Sequence, residues 1–242
     1  LKNNNYGEDK LSFKIENGTL INSSSKNTVT ENPIDDIKNI DLSYWNKKLK
    51  DSTPDEIIDW ALKLSEKRIV TTSFGKYSAV LLSTFNRKDS NINVVWCDTG
   101  YNLPETYEHA SMLISRFKLN LNVYVPKESR AFTEFRLGLP DIKDPKHKEF
   151  SEIVKLEPFR RALKKHQPDL WFTNIRVRKT EYRNSKDILS YSKEGILKVS
   201  PFYYWTDGEL DALLCKNGLP KNHTYFDPIK ALENRECGIH LQ

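Results

Sequence analysis

The sequence predicts an α/β protein in which a parallel sheet is covered on both faces by helices. Two observations carry that expectation. From Arg68 onward short β-rich runs alternate with helical stretches, and parallel strands need crossover connections of this kind. The 242 residues can bury one sizeable core but hardly two. The alternating part is therefore expected to be one domain, residues 42–233, after a variable extension at 1–41 and before a tail at 234–242.

Within the extension, Asn, Ser, Lys and Asp dominate and Ser23 to Thr28 reads as a linker, with a short strand allowed at Leu11 to Ile15. At Leu42 the pattern becomes an amphipathic helix (Leu42, Trp45, Leu49). Thr53-Pro-Asp-Glu56 then starts a second helix: Thr53 caps, Pro54 sits in the first turn and Glu56 closes a capping box. Ile57, Ile58, Trp60, Ala61 and Leu64 form its apolar face. Next come a strand at Arg68 to Ser73, a helix from Ser78, a strand at Ile92 to Cys97, a helix from Pro104 and a strand at Leu121 to Val125. A helix from Pro158, strands at Leu170 to Asn174 and Ile196 to Val199, and a helix from Thr206 to about Lys216, stopped by Asn217-Gly218, complete the pattern. No internal repeat interrupts it.

Composition narrows the function. The net charge of +5 is modest and its cations are interleaved with acids, which does not require nucleic acid but suits a small polyanion held by a few convergent cations. The three cysteines, Cys97, Cys215 and Cys237, form no Cys-x-x-Cys pair. That argues against zinc, a cysteine-ligated iron-sulfur cluster and a disulfide scaffold, so no metal site is expected. No apolar run approaches ~20 residues and no signal-like segment is present, so a soluble protein of the reducing cytoplasm is expected.

In an open α/β sheet ligands bind beyond the carboxyl ends of the strands, and three loops there carry candidate chemistry. In Thr71 to Ala79 the helix-start amides, the Ser73 and Ser78 hydroxyls and a tight turn at Gly75 suit a phosphate or sulfate, although a lone glycine also fits an ordinary turn. Asp98 stands at the end of another strand, suited either to a ligand hydroxyl or amine or to capping amides, and Cys97 beside it reads as core. Beyond a further strand lie Arg176, Arg178, Lys179 and Arg183, whose forks suit phosphate or sulfate oxygens. Lys155, Glu157 and Arg160 could join the same cleft. The tail holds Cys237 beside Arg235, with His240 three positions on and Gly238 as a hinge. Cations favour a reactive thiolate, whereas a frayed end with an incidental cysteine is the plainer alternative.

Taken in order, Ser73-Phe-Gly-x-x-Ser-Ala-Val80, Asp98-Thr-Gly-Tyr-x-x-Pro-Glu-Thr-Tyr107, Lys118-Leu-Asn-Leu-x-Val-Tyr124, Lys155-x-Glu-Pro-x-x-Arg-Ala-Leu163 and Glu236-Cys-Gly-Ile-His240 resemble the phosphoadenylyl-sulfate (PAPS) reductases over residues 42–242. The resemblance implies an adenine-nucleotide α-hydrolase-like, Rossmann-like three-layer fold with a mobile C-terminal tail. It implies catalysis by Cys237 with Glu236 and His240, and substrate binding by Ser73, Phe74, Gly75, Ser78, Asp98, Thr99, Lys155, Arg176, Arg178, Lys179, Arg183 and Arg235. It further implies an S-sulfocysteine resolved by thioredoxin or glutaredoxin, no bound cofactor and a homodimer. Relatives that prefer adenylyl sulfate carry a four-cysteine iron-sulfur cluster, which this cysteine count does not allow, so PAPS is the expected substrate.

The chain departs from the family pattern twice. Asn174-Ile-Arg-Val-Arg-Lys179 stands where the family usually has Gly-x-Arg-Arg-x-Gln, and Asn222 to Lys230 runs almost directly into the cysteine motif without a Gly-Tyr-x-Ser-x-Gly segment. Two other functions stay open on these grounds: a related nucleotide-dependent sulfurtransferase with another acceptor, and a nucleotide-binding homologue without turnover.

Overall fold

The computed structural model describes residues 13–16, 19–22, 36–177, 181–227 and 239. It divides into two compact units, Leu1–Asp35 and Asp36–Gln242. In the first, β1 (Phe13–Glu16) and β2 (Thr19–Asn22) pair antiparallel, Phe13 opposite Asn22.

The second unit is built on a six-stranded sheet. Its elements are α1 (Leu42–Leu49), α2 (Pro54–Leu62), β3 (Arg68–Thr72), α3 (Ser78–Lys88), β4 (Asn93–Cys97), α4 (Pro104–Phe117) and β5 (Leu121–Tyr124). They continue as α5 (Arg130–Leu137), α6 (Lys146–Ser151), a π-helical turn (Glu152–Leu156), α7 (Glu157–His166), β6 (Leu170–Phe172), α8 (Glu181–Asn184), β7 (Leu189–Tyr191), β8 (Leu197–Val199) and α9 (Asp207–Lys216). The strand order is β5-β4-β3-β6-β8-β7. All neighbours are parallel except β7, which runs antiparallel to β8 at the edge.

Alternation along one strand builds the layers, because successive side chains of a strand point to opposite faces. Trp171 packs on Phe159 of α7, ring centroids 4.9 Å apart, within a cluster that also holds Ile69, Val95, Tyr124, Ala162 and Ile196. Phe172, its neighbour, meets Phe85 of α3 at 4.7 Å. Helix α3 is buried from Ser78 to Phe85 and packs against α2, α4 and α9. The sheet is thus sandwiched between helices on both sides, as the alternating pattern predicts.

Both ends of the strand series are finished locally. The capping box at Thr53 forms as expected, with Thr53 N donating to Glu56 Oε2 (2.7 Å) and Glu56 N to Thr53 Oγ1 (3.3 Å). A second one opens α9 at Thr206 and Glu209. The edge strand β7 is covered by α1: Asn46 Nδ2 donates to Leu189 O (3.0 Å) and Leu189 N to Asn46 Oδ1 (2.7 Å), so one side-chain amide satisfies backbone groups that a further strand would otherwise take. Residues 36–41, grouped by the sequence with the extension, belong with the sheet: Ile40 is buried and its N–H donates to Tyr191 Oη (3.0 Å). Among the described residues no helix is long and apolar enough to cross a membrane.

The chain order fixes where a ligand belongs. From β3 the connections run outward through β4 to β5, then return to the other side of β3 for β6 and β8. The reversal falls between β3 and β6, and the crevice beyond their carboxyl ends is the binding position such sheets offer.

Candidate functional site

A cavity of about 300 Å³ opens at that reversal. Its floor is the turn from β3 into α3. Thr72 Oγ1 accepts from Phe74 N (3.0 Å), and Ser78 N donates to Gly75 O (3.0 Å). No side chain caps the first amides of α3, so the positive end of an 11-residue helix faces the cavity, an arrangement suited to an anion. Ser73, Gly75 and Ser78 line it.

The turn is tighter than a lone glycine suggests, and the strain sits on a different residue. Phe74 adopts φ 49°, a left-handed conformation that a bulky side chain holds only under constraint. The constraint is visible: Phe74 is fully buried, stacks edge to face on Trp96 at 4.9 Å, and its carbonyl accepts from Asn222 Nδ2 (3.0 Å). It anchors the turn from behind. Gly75 lies close under the Tyr225 ring, where a Cβ would sit 3.4 Å from it, in contact but without a clash.

Cations enter from three other segments. Arg176 follows β6, is 7% exposed, and lies over the Tyr77 ring at 4.9 Å. It pairs with Asp207 at 2.6 Å and donates to Trp205 O (3.2 Å). Arg183 of α8 reaches the cavity from beyond. Lys76, also on the wall, has its pKa raised, chiefly by a hydrogen bond with Tyr77 and further by Asp207, and so stays cationic. Lys155 projects from the π-helical turn and pairs with Asp227 at 2.5 Å, their side chains only 6% and 4% exposed. Such turns insert an extra residue into a helix and recur at functional positions.

Asp98 and Thr99 line a different cavity, of about 240 Å³, beside the ends of β4 and β5. Asp98 Oδ1 accepts from Gly100 N (3.0 Å), Asn102 Nδ2 (2.9 Å) and Tyr107 Oη (2.9 Å), which is the capping role. Burial and then that carboxylate push the Tyr107 pKa up to about 12. Cys97 packs against the core cluster. Arg178, Lys179, Arg235, Glu236, Cys237 and His240 lie outside the described residues. Ile239, within the same terminal motif, is described and lines the main cavity.

Sequence reasoning missed Asp227, Tyr225, Asn222 and His109. The first three come from a segment with no periodic signal, and their roles follow only from where the chain returns. His109, on α4, is 5% exposed and its Nε2 lies 3.2 Å from Ser78 Oγ at the turn. Burial holds its pKa below the ordinary value. His166 shifts the same way, from burial and then Lys165. An unfolded histidine therefore binds a proton near pH ~6.5 while the folded one does not, and stability is full above that pH and falls as pH drops through it. Urea midpoints should fall between pH 7.5 and 5.5, and His109→Gln should flatten that slope in part; an unchanged slope would remove His109 from this role.

The three-layer sheet, its order and the strand-to-helix turn at the reversal give an adenine-nucleotide α-hydrolase-like fold. A crystal structure of phosphoadenylyl-sulfate reductase from Candida auris superposes with TM-score 0.65 at 23% identity, over 74% of this chain and 87% of that one. An FMN adenylyltransferase from Candida glabrata, with FMN and an ATP analogue, shares the fold at TM-score 0.55 and 11% identity, over 79% and 66%. Residues 67–232 match the model for the phosphoadenosine phosphosulfate reductase domain, and the chain belongs to that family. A phosphoadenosine 5′-phosphosulfate reductase from Buchnera aphidicola is 34% identical, covering 94% of this chain and 98% of the relative; one from Xylella fastidiosa is 35% identical, covering 86% and 95%.

Proposed function

We propose that this chain reduces 3′-phosphoadenylyl sulfate to sulfite and adenosine 3′,5′-bisphosphate through a covalent adduct on Cys237. The observation that carries this reading, beside family membership, is that Ile239, two positions from Cys237, lines the same cavity as the Ser73 to Ser78 turn, Lys155, Arg176 and Arg183. The one described residue of the nucleophile-bearing segment thus lies at the crevice proposed to hold the anion.

In the first step the Cys237 thiolate attacks the sulfonate sulfur. The sulfur–oxygen bond to the phosphate breaks, its electron pair leaves on the phosphate oxygen, and Cys237 becomes S-sulfocysteine. Helix-start amides, Lys155 and the arginines stabilise the charge that develops on the departing phosphate. A dithiol protein of the thioredoxin or glutaredoxin type then attacks the Cys237 sulfur, sulfite departs with the sulfur–sulfur electron pair, and the donor's second thiol frees Cys237. The donor ends as a disulfide. This chemistry calls on no metal or iron-sulfur cluster, and three isolated cysteines offer no four-thiolate set within one chain.

The test is sulfite release by the full chain with reduced thioredoxin, PAPS and adenylyl sulfate being assayed in parallel. Sulfite is expected from PAPS, at least about tenfold faster than from adenylyl sulfate, with no need for ATP. Sulfur transfer that depends on ATP, or nucleotide binding without sulfite, would replace this reading with a transferase or a binding protein.

A further inference from the structure

A buried polar network ties α4 to the back of the turn between β3 and α3. Asn222 Nδ2 donates both to Phe74 O (3.0 Å) and to Thr106 Oγ1 (3.3 Å). Three positions further along α4, His109 Nε2 lies 3.2 Å from Ser78 Oγ. Thr106, His109 and Ser78 are 0%, 5% and 7% exposed. The first contact fixes the backbone of the turn. The second reaches a side chain that lines the main cavity.

Ser78 N already donates to Gly75 O (3.0 Å), so the hydroxyl is what this residue has left for a ligand. A serine hydroxyl carries one proton and two lone pairs. If that proton goes to His109, only lone pairs face the cavity, and they repel an anion. If His109 donates instead, the Ser78 proton is free to point outward at an anionic oxygen. The direction of one buried hydrogen bond therefore decides whether Ser78 opposes or assists the anion that the start of α3 favours.

Burial lowers the His109 pKa, so near neutral pH one ring nitrogen alone carries a proton. Among the described residues the ring makes one hydrogen bond, that to Ser78, and no acceptor draws the proton to Nδ1. An anion in the turn selects the tautomer with the proton on Nε2, because that tautomer turns a donor toward it.

We infer that His109 is a positioning residue for the anion turn: its Nε2–H donates to Ser78 Oγ and thereby aims the Ser78 hydroxyl proton at a phosphate or sulfate oxygen of the ligand. The inference rests on the nucleotide reading under the proposed function and adds to it a residue outside the cavity lining.

Calorimetry on the full chain with adenosine 3′,5′-bisphosphate tests it. Ser78→Ala should weaken binding about tenfold or more, the loss of one charge-assisted hydrogen bond. His109→Phe keeps a flat ring and removes the donor. It should weaken binding several-fold, and have no further effect once Ser78 is alanine, since it acts through that hydroxyl alone. His109→Gln, whose amide donates, should restore most of the affinity. Nitrogen NMR of the imidazole gives a reading on the wild type that depends on no variant's folding: in the complex His109 should carry its proton on Nε2 and none on Nδ1. Tighter binding by His109→Phe, additive losses in the double variant, or an unprotonated Nε2 in the complex each overturns the inference and leaves the nucleotide reading intact. If the wild type does not bind the nucleotide, that reading itself fails and the inference with it.

Discussion

Cys237→Ser is expected to lower sulfite formation by at least about 10³-fold, on the scale that loss of a nucleophile costs other covalent enzymes, while nucleotide affinity stays within about twofold. A hydroxyl at neutral pH is far less nucleophilic than a thiolate, and neither of the other two cysteines is placed to form the sulfur adduct. Cys97 is held against the core cluster and Cys215 sits exposed on α9, outside the residues that line the cavity. Reduced wild-type protein given PAPS without thioredoxin should gain one SO₃ group, mapped by peptide mass spectrometry to the Glu236 to His240 segment and released by reduced thioredoxin. Sulfite production that persists in Cys237→Ser would defeat the mechanism even with fold and nucleotide site intact.

The second large effect concerns stability. Asp227→Ala removes the carboxylate that faces the Lys155 ammonium at 2.5 Å in a nearly water-free position. Breaking one side of a buried ion pair typically costs ~3–5 kcal/mol because the remaining charge keeps its desolvation penalty, and a loss of that size in urea unfolding is expected. The same change should strengthen inorganic sulfate binding several-fold, since Lys155 then lacks its internal carboxylate and an anion in the cavity can take its place. A loss below about 1 kcal/mol would mean that water reaches Lys155 despite its burial.

Much of the scaffold was legible because burial and periodicity coincide in it. Val70, Val94, Leu170 and Leu197 stand in short apolar runs that had to be strands inside a covered sheet. The capping boxes at Thr53 and Thr206 mark their helices in four residues each. What escaped is what lacks such coincidence. Helix α5 buries only Thr133, and Leu189-Ser-Tyr191 is too short to stand out, its strand state depending on β8 and on Asn46.

The site divides the same way. Ser73, Gly75 and Ser78 were readable as a turn, and Lys155, Arg176 and Arg183 as cations, and the fold gathers these six around one cavity. That Phe74 takes the strained conformation is decided by Trp96 and Asn222, both distant in sequence. That Lys155 meets Asp227 is decided by a return of the chain 72 residues later, which no local pattern encodes.

The π-helical turn at Glu152–Leu156 sets how Lys155 is aimed. Each residue advances an α-helix by roughly 100°, and a π turn holds one residue more than the α-helix it interrupts. The helical run is unbroken from Lys146 to His166, and without that extra residue α6 would be rotated by about a quarter turn relative to Pro158 and Phe159, which are fixed in the core. A single codon of length therefore acts as an angular gear between the packed helix and its basic side chain. An insertion or deletion in this segment is accordingly expected to misdirect Lys155 more than a substitution that keeps its length.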